Sequence, residues 1–210
     1  MKFISIFLLS IASSLALAHP VSFKDSKGIM GYHSPTLSHN QISYSYQYWG
    51  AVGAHHYQRP DLSSDKTATL LSANFLVKRW NESNLQANIY ANLGGGHSEL
   101  TGSSETVGYA LVQFDIEDRD YYFLTKHYQI FDGDVTHIKQ TAVRAGLTPY
   151  VDSYNGFHSW FIMEYQHTEL IERERFEDLT PFLRLFYRNL LFEIGQSFDG
   201  TTKFNYIMHF

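Results

Sequence analysis

Phe204-Asn205-Tyr206-Ile207-Met208-His209-Phe210 ends the sequence on a nearly strict alternation. Successive side chains of a strand point to opposite faces. Phe204, Tyr206, Met208 and Phe210 therefore share one face and Asn205 and His209 the other, with Ile207 as the exception. Terminal residues of a domain in water usually fray. A row of large apolar side chains kept up to the last position asks for apolar surroundings on that side and polar ones on the other.

Working back from this stretch, the same rhythm repeats. Leu85, Ala87, Ile89, Ala91 and Leu93 oppose Gln86, Asn88, Tyr90 and Asn92; Phe161, Met163 and Tyr165 oppose Glu164 and Gln166; Leu183, Leu185 and Tyr187 oppose Arg184. Twelve strands are predicted, over 27–33, 39–47, 49–58, 67–78, 85–94, 106–116, 120–131, 138–148, 158–168, 180–187, 190–197 and 202–210, with ten or eight as alternative counts. The strand at 120–131 is aromatic on both faces, so its facing is left open. Leu170–Leu179, dense in charge, reads as a solvated loop, and Gly94-Gly95-Gly96-His97 as a flexible one. No convincing amphipathic helix appears.

The terminal strand resembles the C-terminal signal strand of bacterial outer-membrane β-barrels, which closes the barrel and ends in an aromatic residue. The resemblance implies an all-β, closed antiparallel transmembrane barrel in the outer membrane of a Gram-negative bacterium. Phe204, Tyr206, Met208 and Phe210 would then form the assembly signal, with the barrel-assembly machinery and outer-membrane lipid as partners. The chain also broadly resembles uncharacterised outer-membrane barrel proteins, a likeness that brings no activity with it. A soluble periplasmic barrel of lipocalin type is the alternative.

Composition fits. Residues 1–18 read as a secretory leader, with Lys2, an apolar run from Phe3 to Ala12 and the small-x-small site Ala16-Leu17-Ala18. Residues 19–26 read as a short exposed periplasmic lead-in and 27–210 as the barrel. The whole chain has 16 Lys+Arg and 21 Asp+Glu, and this mild acidity argues against nucleic acid as a partner. No Cys is present, which removes disulfides, thiolate metal sites and cysteine nucleophiles. Fifteen Tyr and 16 Phe favour strands, and Tyr and Trp suit a membrane interface; Trp49, Trp80 and Trp160 are expected in its girdles.

Facing puts Lys78, Asp115, Arg144, Glu164, Arg184, Glu193 and Lys203 into the lumen. Such charges fit either a salt-bridge network that plugs a small barrel or a charged constriction that selects small polar solutes or ions. The first makes the barrel a structural or surface-binding element and the second a narrow channel. No cofactor is expected on the main reading. Eleven His leave a copper or zinc alternative, with His33 and His39 converging with His97 or His137 on outer loops, or His19 binding through its amine and imidazole. Enzymatic motifs are absent: the glycine run lacks a Gly-Lys-Ser/Thr ending, no Gly-x-Ser-x-Gly occurs, and His158-Ser159 face opposite ways. An outer-membrane acyl hydrolase is the remaining enzymatic alternative.

Overall fold

Twelve strands, each paired antiparallel with its chain neighbours, form one closed cylinder. They are β1 (Lys27–His33), β2 (Ser38–Gln47), β3 (Gly50–Gln58), β4 (Thr67–Asn81), β5 (Gln86–Ser98), β6 (Glu105–Glu117), β7 (Tyr121–Asp132), β8 (Val135–Leu147), β9 (Phe157–Leu170), β10 (Phe176–Tyr187), β11 (Leu190–Gln196) and β12 (Thr202–His209). The computed structural model describes residues 20–62, 66–150, 156–171 and 175–210.

The cylinder closes where β1 meets β12, from Gly28 opposite His209 to His33 opposite Phe204. A reciprocal pair of backbone bonds between Lys27 and Phe210, at 3.0 and 2.9 Å, continues the ladder past the last strand residue. Closure leaves no strand edge with unpaired N–H and C=O groups, the condition for a sheet to stand in hydrocarbon.

The alternation decides what faces where. Leu71 and Leu93 are 69% and 61% exposed, whereas Asn74 and Asn88 are 0% exposed. Phe204, Tyr206 and Met208 point out with Phe192 and Ile194 of the adjacent strand, while Asn205 and His209 are buried inside. A slip of one residue would reverse every side chain and set Arg184, Glu193 and Lys203 against the outer surface. Trp49, Trp80, Tyr121 and Tyr187 lie exposed at the end of the cylinder where β1 begins and β12 finishes, the near end.

Several expectations change. Gly94-Gly95-Gly96-His97 is strand, not loop: β5 runs on to Ser98, with Gly94 opposite Ser72 and Gly96 opposite Leu70. A Cβ on Gly94 would meet the Leu71 carbonyl oxygen and one on Gly96 the Thr69 carbonyl oxygen, so glycine lets the two backbones close up. Leu170–Leu179 is not loop throughout: β9 reaches Leu170 and β10 runs from Phe176 through Leu179. Its charges are compatible with strand because Glu169 and Glu177 pair with Lys139 and His167 of the same sheet.

In β7, Tyr122, Leu124, Tyr128 and Ile130 point in and Tyr121 and Phe123 out. Trp160 is not on the outer girdle; it packs inside against Tyr122, Leu124, Ile162 and Phe182. The lead-in is not wholly exposed. Phe23, Lys24 and Asp25 lie at the near rim, but Asp25, with φ at 65°, turns the chain, and Pro20 and Val21 are buried inside the cylinder.

Candidate functional site

The lumen has two unlike walls. Strands β8 to β12 carry a belt of ion pairs. Arg144 and Glu164 are opposite one another on β8 and β9, with Nε 3.2 Å from Oε2; Arg184 and Glu193 are opposite on β10 and β11, with Nε 2.6 Å from Oε1. Two longer reaches join these neighbours. Arg144 Nη2 donates to Glu193 Oε2 at 2.8 Å, and Lys203 Nζ donates to Glu164 Oε1 at 3.1 Å and Asp178 Oδ1 at 2.5 Å. Asn205 Nδ2 donates to Glu193 Oε2 at 2.7 Å. Arg184 lies over the Tyr122 ring, 4.5 Å from its centroid, and Arg144 over Phe182, 5.2 Å from its centroid. All six ion-paired side chains are buried, so desolvation is tolerated only because each charge meets an opposite one.

Strands β2 to β6 form the other wall from small and amide side chains. Asn74 Nδ2 donates to the Pro20 carbonyl at 3.4 Å, and Asn74 Oδ1 accepts from Ser72 Oγ at 2.7 Å. Ser72 has then given its proton, so His55 Nε2 donates to it at 2.7 Å, and His55 Nδ1 accepts from His39 Nε2 at 3.1 Å. This relay fixes both neutral tautomers. Val21 packs against Ala51 and Tyr90, and Ser22 N donates to Ser45 Oγ at 3.1 Å. The small residues of this wall make the room that Pro20 and Val21 fill. Lower down, Asp115 accepts from Asn88 Nδ2 at 2.7 Å and Gln113 Nε2 at 2.9 Å, and Arg79 Nε donates to Asn88 Oδ1 at 2.7 Å.

The far end is capped on one side. Leu37, Leu100, Leu170 and the tyrosines 57, 109 and 128 form a buried apolar cluster, with Ile171 against it. Arg59, held by both oxygens of Asp61 at 2.9 and 3.0 Å, donates from Nη1 to the Ile171 carbonyl at 3.2 Å, tying the β3–β4 connection to the β9–β10 one across the mouth. Beneath lie two small cavities. One of about 50 Å³ reaches Ser34 and Leu37 and is floored by Arg144, Glu164 and Lys203. A second, of about 30 Å³, is bounded by Pro20, Gln41 and Asn92. Tyr32, His39, Lys126 and Tyr128 line both.

Of the residues named from sequence, Arg144, Glu164, Arg184, Glu193 and Lys203 come together. Asp115 points inward but has its own partners. Lys78 does not join them. The ladder skips Val77, so Leu76 faces Tyr90 and Lys78 faces Ile89; the bulge reverses the parity and gives the inward place to Arg79. Lys78 instead lies near Trp80 on the outside. Alternation carried past 180 would have found Asp178; Lys126 was hidden by the aromatic residues on both faces of β7.

His33, His39, His97 and His137 do not converge. His33 bonds Ser38 Oγ at 2.7 Å and stacks on the outward rings of Phe204 and Tyr206; His39 stacks on Tyr57 inside. His97 is exposed on the outer face, and His137 is buried between Ser98 Oγ at 2.9 Å and Glu105 Oε2 at 3.2 Å. Among the described residues no three His, Asp or Glu gather as a metal would need. His19 lies outside the described residues.

Closed, antiparallel, of even strand number and apolar on the outside, the chain has the fold of a bacterial outer-membrane β-barrel. Solved porins are among the structures it resembles. A KdgM porin is 12% identical over 88% of this chain and 98% of its own, with a TM-score of 0.49; the KdgM porin in complex with disordered oligogalacturonate gives the same coverage and identity and a TM-score of 0.50. OccK5 (OpdH) of Pseudomonas aeruginosa is 8% identical over 86% of this chain and 62% of its own, with a TM-score of 0.42. At these identities the likeness is one of fold. No protein-family model matches the chain, and no curated protein does.

Proposed function

We propose that the protein is an outer-membrane barrel that acts as a narrow channel for ions and small polar solutes. The near end, with both barrel termini, faces the periplasm, and the capped end faces outside. Phe204, Tyr206, Met208 and Phe210 lie against lipid and serve as the strand that the assembly machinery reads. The observation that carries the reading is the pair of cavities stacked along a lumen of charged and amide side chains, sharing four lining residues. Cavities of this size hold water or small ions, and fixed charges of both signs beside them would set the selectivity of a passage through them. The reaction class is transport, without chemistry.

Purified, refolded protein in planar bilayers tests this. Small, stepwise unit currents are expected, with an ion selectivity altered by Lys203→Gln. Bilayers that stay silent at every voltage and pH would overturn it. A second reading, a closed barrel acting through its outer surface, is favoured by the Arg59 tie across the mouth. It predicts silence in bilayers together with a loss of partner binding or phenotype when the β3–β4 connection is shortened.

A further inference from the structure

Lys126 stands apart from the other lumen cations. Arg144, Arg184 and Lys203 each have a carboxylate within hydrogen-bond distance. Lys126 has none within 4.0 Å among the described residues, and its Nζ rests over the face of Tyr32, 4.6 Å from the ring centroid. Four inward carboxylates of the surrounding strands are already engaged; a fifth, Glu117 at the near end of β6, stands opposite Tyr122, four ladder places from Lys126. Asp115 on β6 accepts from Asn88 and Gln113; Glu164 on β9 and Asp178 on β10 serve Lys203; Glu193 on β11 serves Arg144, Arg184 and Asn205. A ring face offsets only part of the cost of taking an ammonium out of bulk water.

A second, independent observation lies on the same cavity. Gln41, 7% exposed, has its Nε2 buried with no hydrogen-bond partner. Gln41 and Lys126 both line the 30 Å³ cavity, between Tyr32, Tyr57, Tyr109 and Tyr128. An unsatisfied amide donor and an ammonium with no carboxylate within hydrogen-bond reach line one space. Its volume matches a single water or a particle of similar size. Asn92 Oδ1, an acceptor without a partner on the same cavity, calls for a donor and so for a neighbouring water rather than the ion.

We propose that Lys126 and Gln41 form a lumen site for one halide-sized anion, reached from the wider cavity above and closed from below by Pro20. Both cavities share Lys126, so an ion entering beside Ser34 passes to the site without crossing the ion-paired belt. Larger oxyanions do not fit the lower cavity.

Anomalous diffraction from crystals of the whole barrel, grown with bromide replacing chloride, tests the site without relying on conduction. A peak is expected between Lys126 Nζ and Gln41 Nε2 in the wild type, none in Lys126→Met, and a weaker one in Gln41→Leu. Lys126→Arg keeps the charge and should keep the peak if Lys126→Met fails to fold. Thermal unfolding in detergent should be raised by chloride over gluconate at equal ionic strength, in the wild type and not in Lys126→Met. Bromide at surface positions only, an adventitious ion only, or an equal peak in Lys126→Met would overturn the site. A silent bilayer would overturn the channel and leave the site standing.

Discussion

The wall made by β8 to β12 and the wall made by β2 to β6 fill the same lumen by opposite means. The first uses long charged side chains that cross the space and meet one another: Lys203 on β12 reaches Glu164 on β9 and Asp178 on β10. The second uses short side chains, Ala51, Ser72, Asn74 and Gly94 among them, and lets Pro20 and Val21 take up the space. A small barrel has to fill its interior. This one does so with a fixed network on one side and a separate segment of chain on the other. The network is part of the wall, while the segment is attached through a few hydrogen bonds and the packing of Val21.

The largest effect should come from breaking the network at its centre. Glu193 accepts from Arg144, Arg184 and Asn205, so Glu193→Ala leaves two guanidinium groups buried without that partner. Removing one member of a buried pair costs about 3–5 kcal/mol. The urea midpoint of the barrel in lipid vesicles should fall accordingly. Asn88→Ala on the other wall, which removes a neutral donor to Asp115, should cost about 1–3 kcal/mol. Equal losses at the two positions would mean that the belt is not the dominant element.

Next is the inserted segment. Deleting residues 20–25 removes the buried Val21 side chain and the bond from Asn74 to the Pro20 carbonyl. Losing the burial of one Val-sized side chain costs about 1.5–3 kcal/mol, so the barrel should remain folded. Unit conductance in bilayers should rise several-fold, because the lower cavity loses its floor. The same deletion with unchanged conductance would show that the passage does not run along the β2–β6 wall.

The two walls were unequally legible in the sequence. Strict alternation in β8 to β12 put Arg144, Glu164, Arg184, Glu193 and Lys203 on one side, and parity alone is enough when no bulge intervenes. On the other wall the signal fails for physical reasons. A bulge at Val77 exchanges Lys78 for Arg79, and glycine, lacking a side chain, gives no facing at 94–96. Nor does any local pattern announce that Pro20 and Val21 turn inward, since their partners Asn74, Ala51 and Tyr90 lie far along the chain. Strand number and the outward apolar band were readable because every hairpin repeats them. Which charges bond across the lumen was not, because those distances depend on the circumference of the closed cylinder.

A smaller effect tests how closely the backbones of the amide wall approach. Gly94→Ala drives a Cβ into the Leu71 carbonyl, which cannot move without the ladder, and should cost about 1–3 kcal/mol. On the charged wall a Cβ at Gly195 meets the ring of Phe182, 2.6 Å from its Cδ1, and a ring can turn aside. Gly195→Ala should therefore be the milder of the two in the same urea titration. The reverse order would place the tighter packing on the charged wall.

The smallest effect lies outside the lumen, in the connection that joins the last two strands of the charged wall. Asp199 accepts from the Ser197 hydroxyl and from Thr201 N at 2.9 Å, while Gly200, with φ at 93°, lets the chain turn. The Ser197 hydrogen bond first, and the Thr201 bonds after it, hold the Asp199 carboxyl below its usual range. A carboxyl that ionises more easily when folded adds stability above its unfolded value, near ~3.9 for Asp. That contribution disappears as the pH falls through the lower folded value. Because the group is almost fully exposed, solvent screens most of it. Asp199→Ala should therefore lower the urea midpoint slightly at neutral pH, and the difference from wild type should vanish in acid. A difference that grew as the pH fell would mean that the turn holds Asp199 in its protonated form.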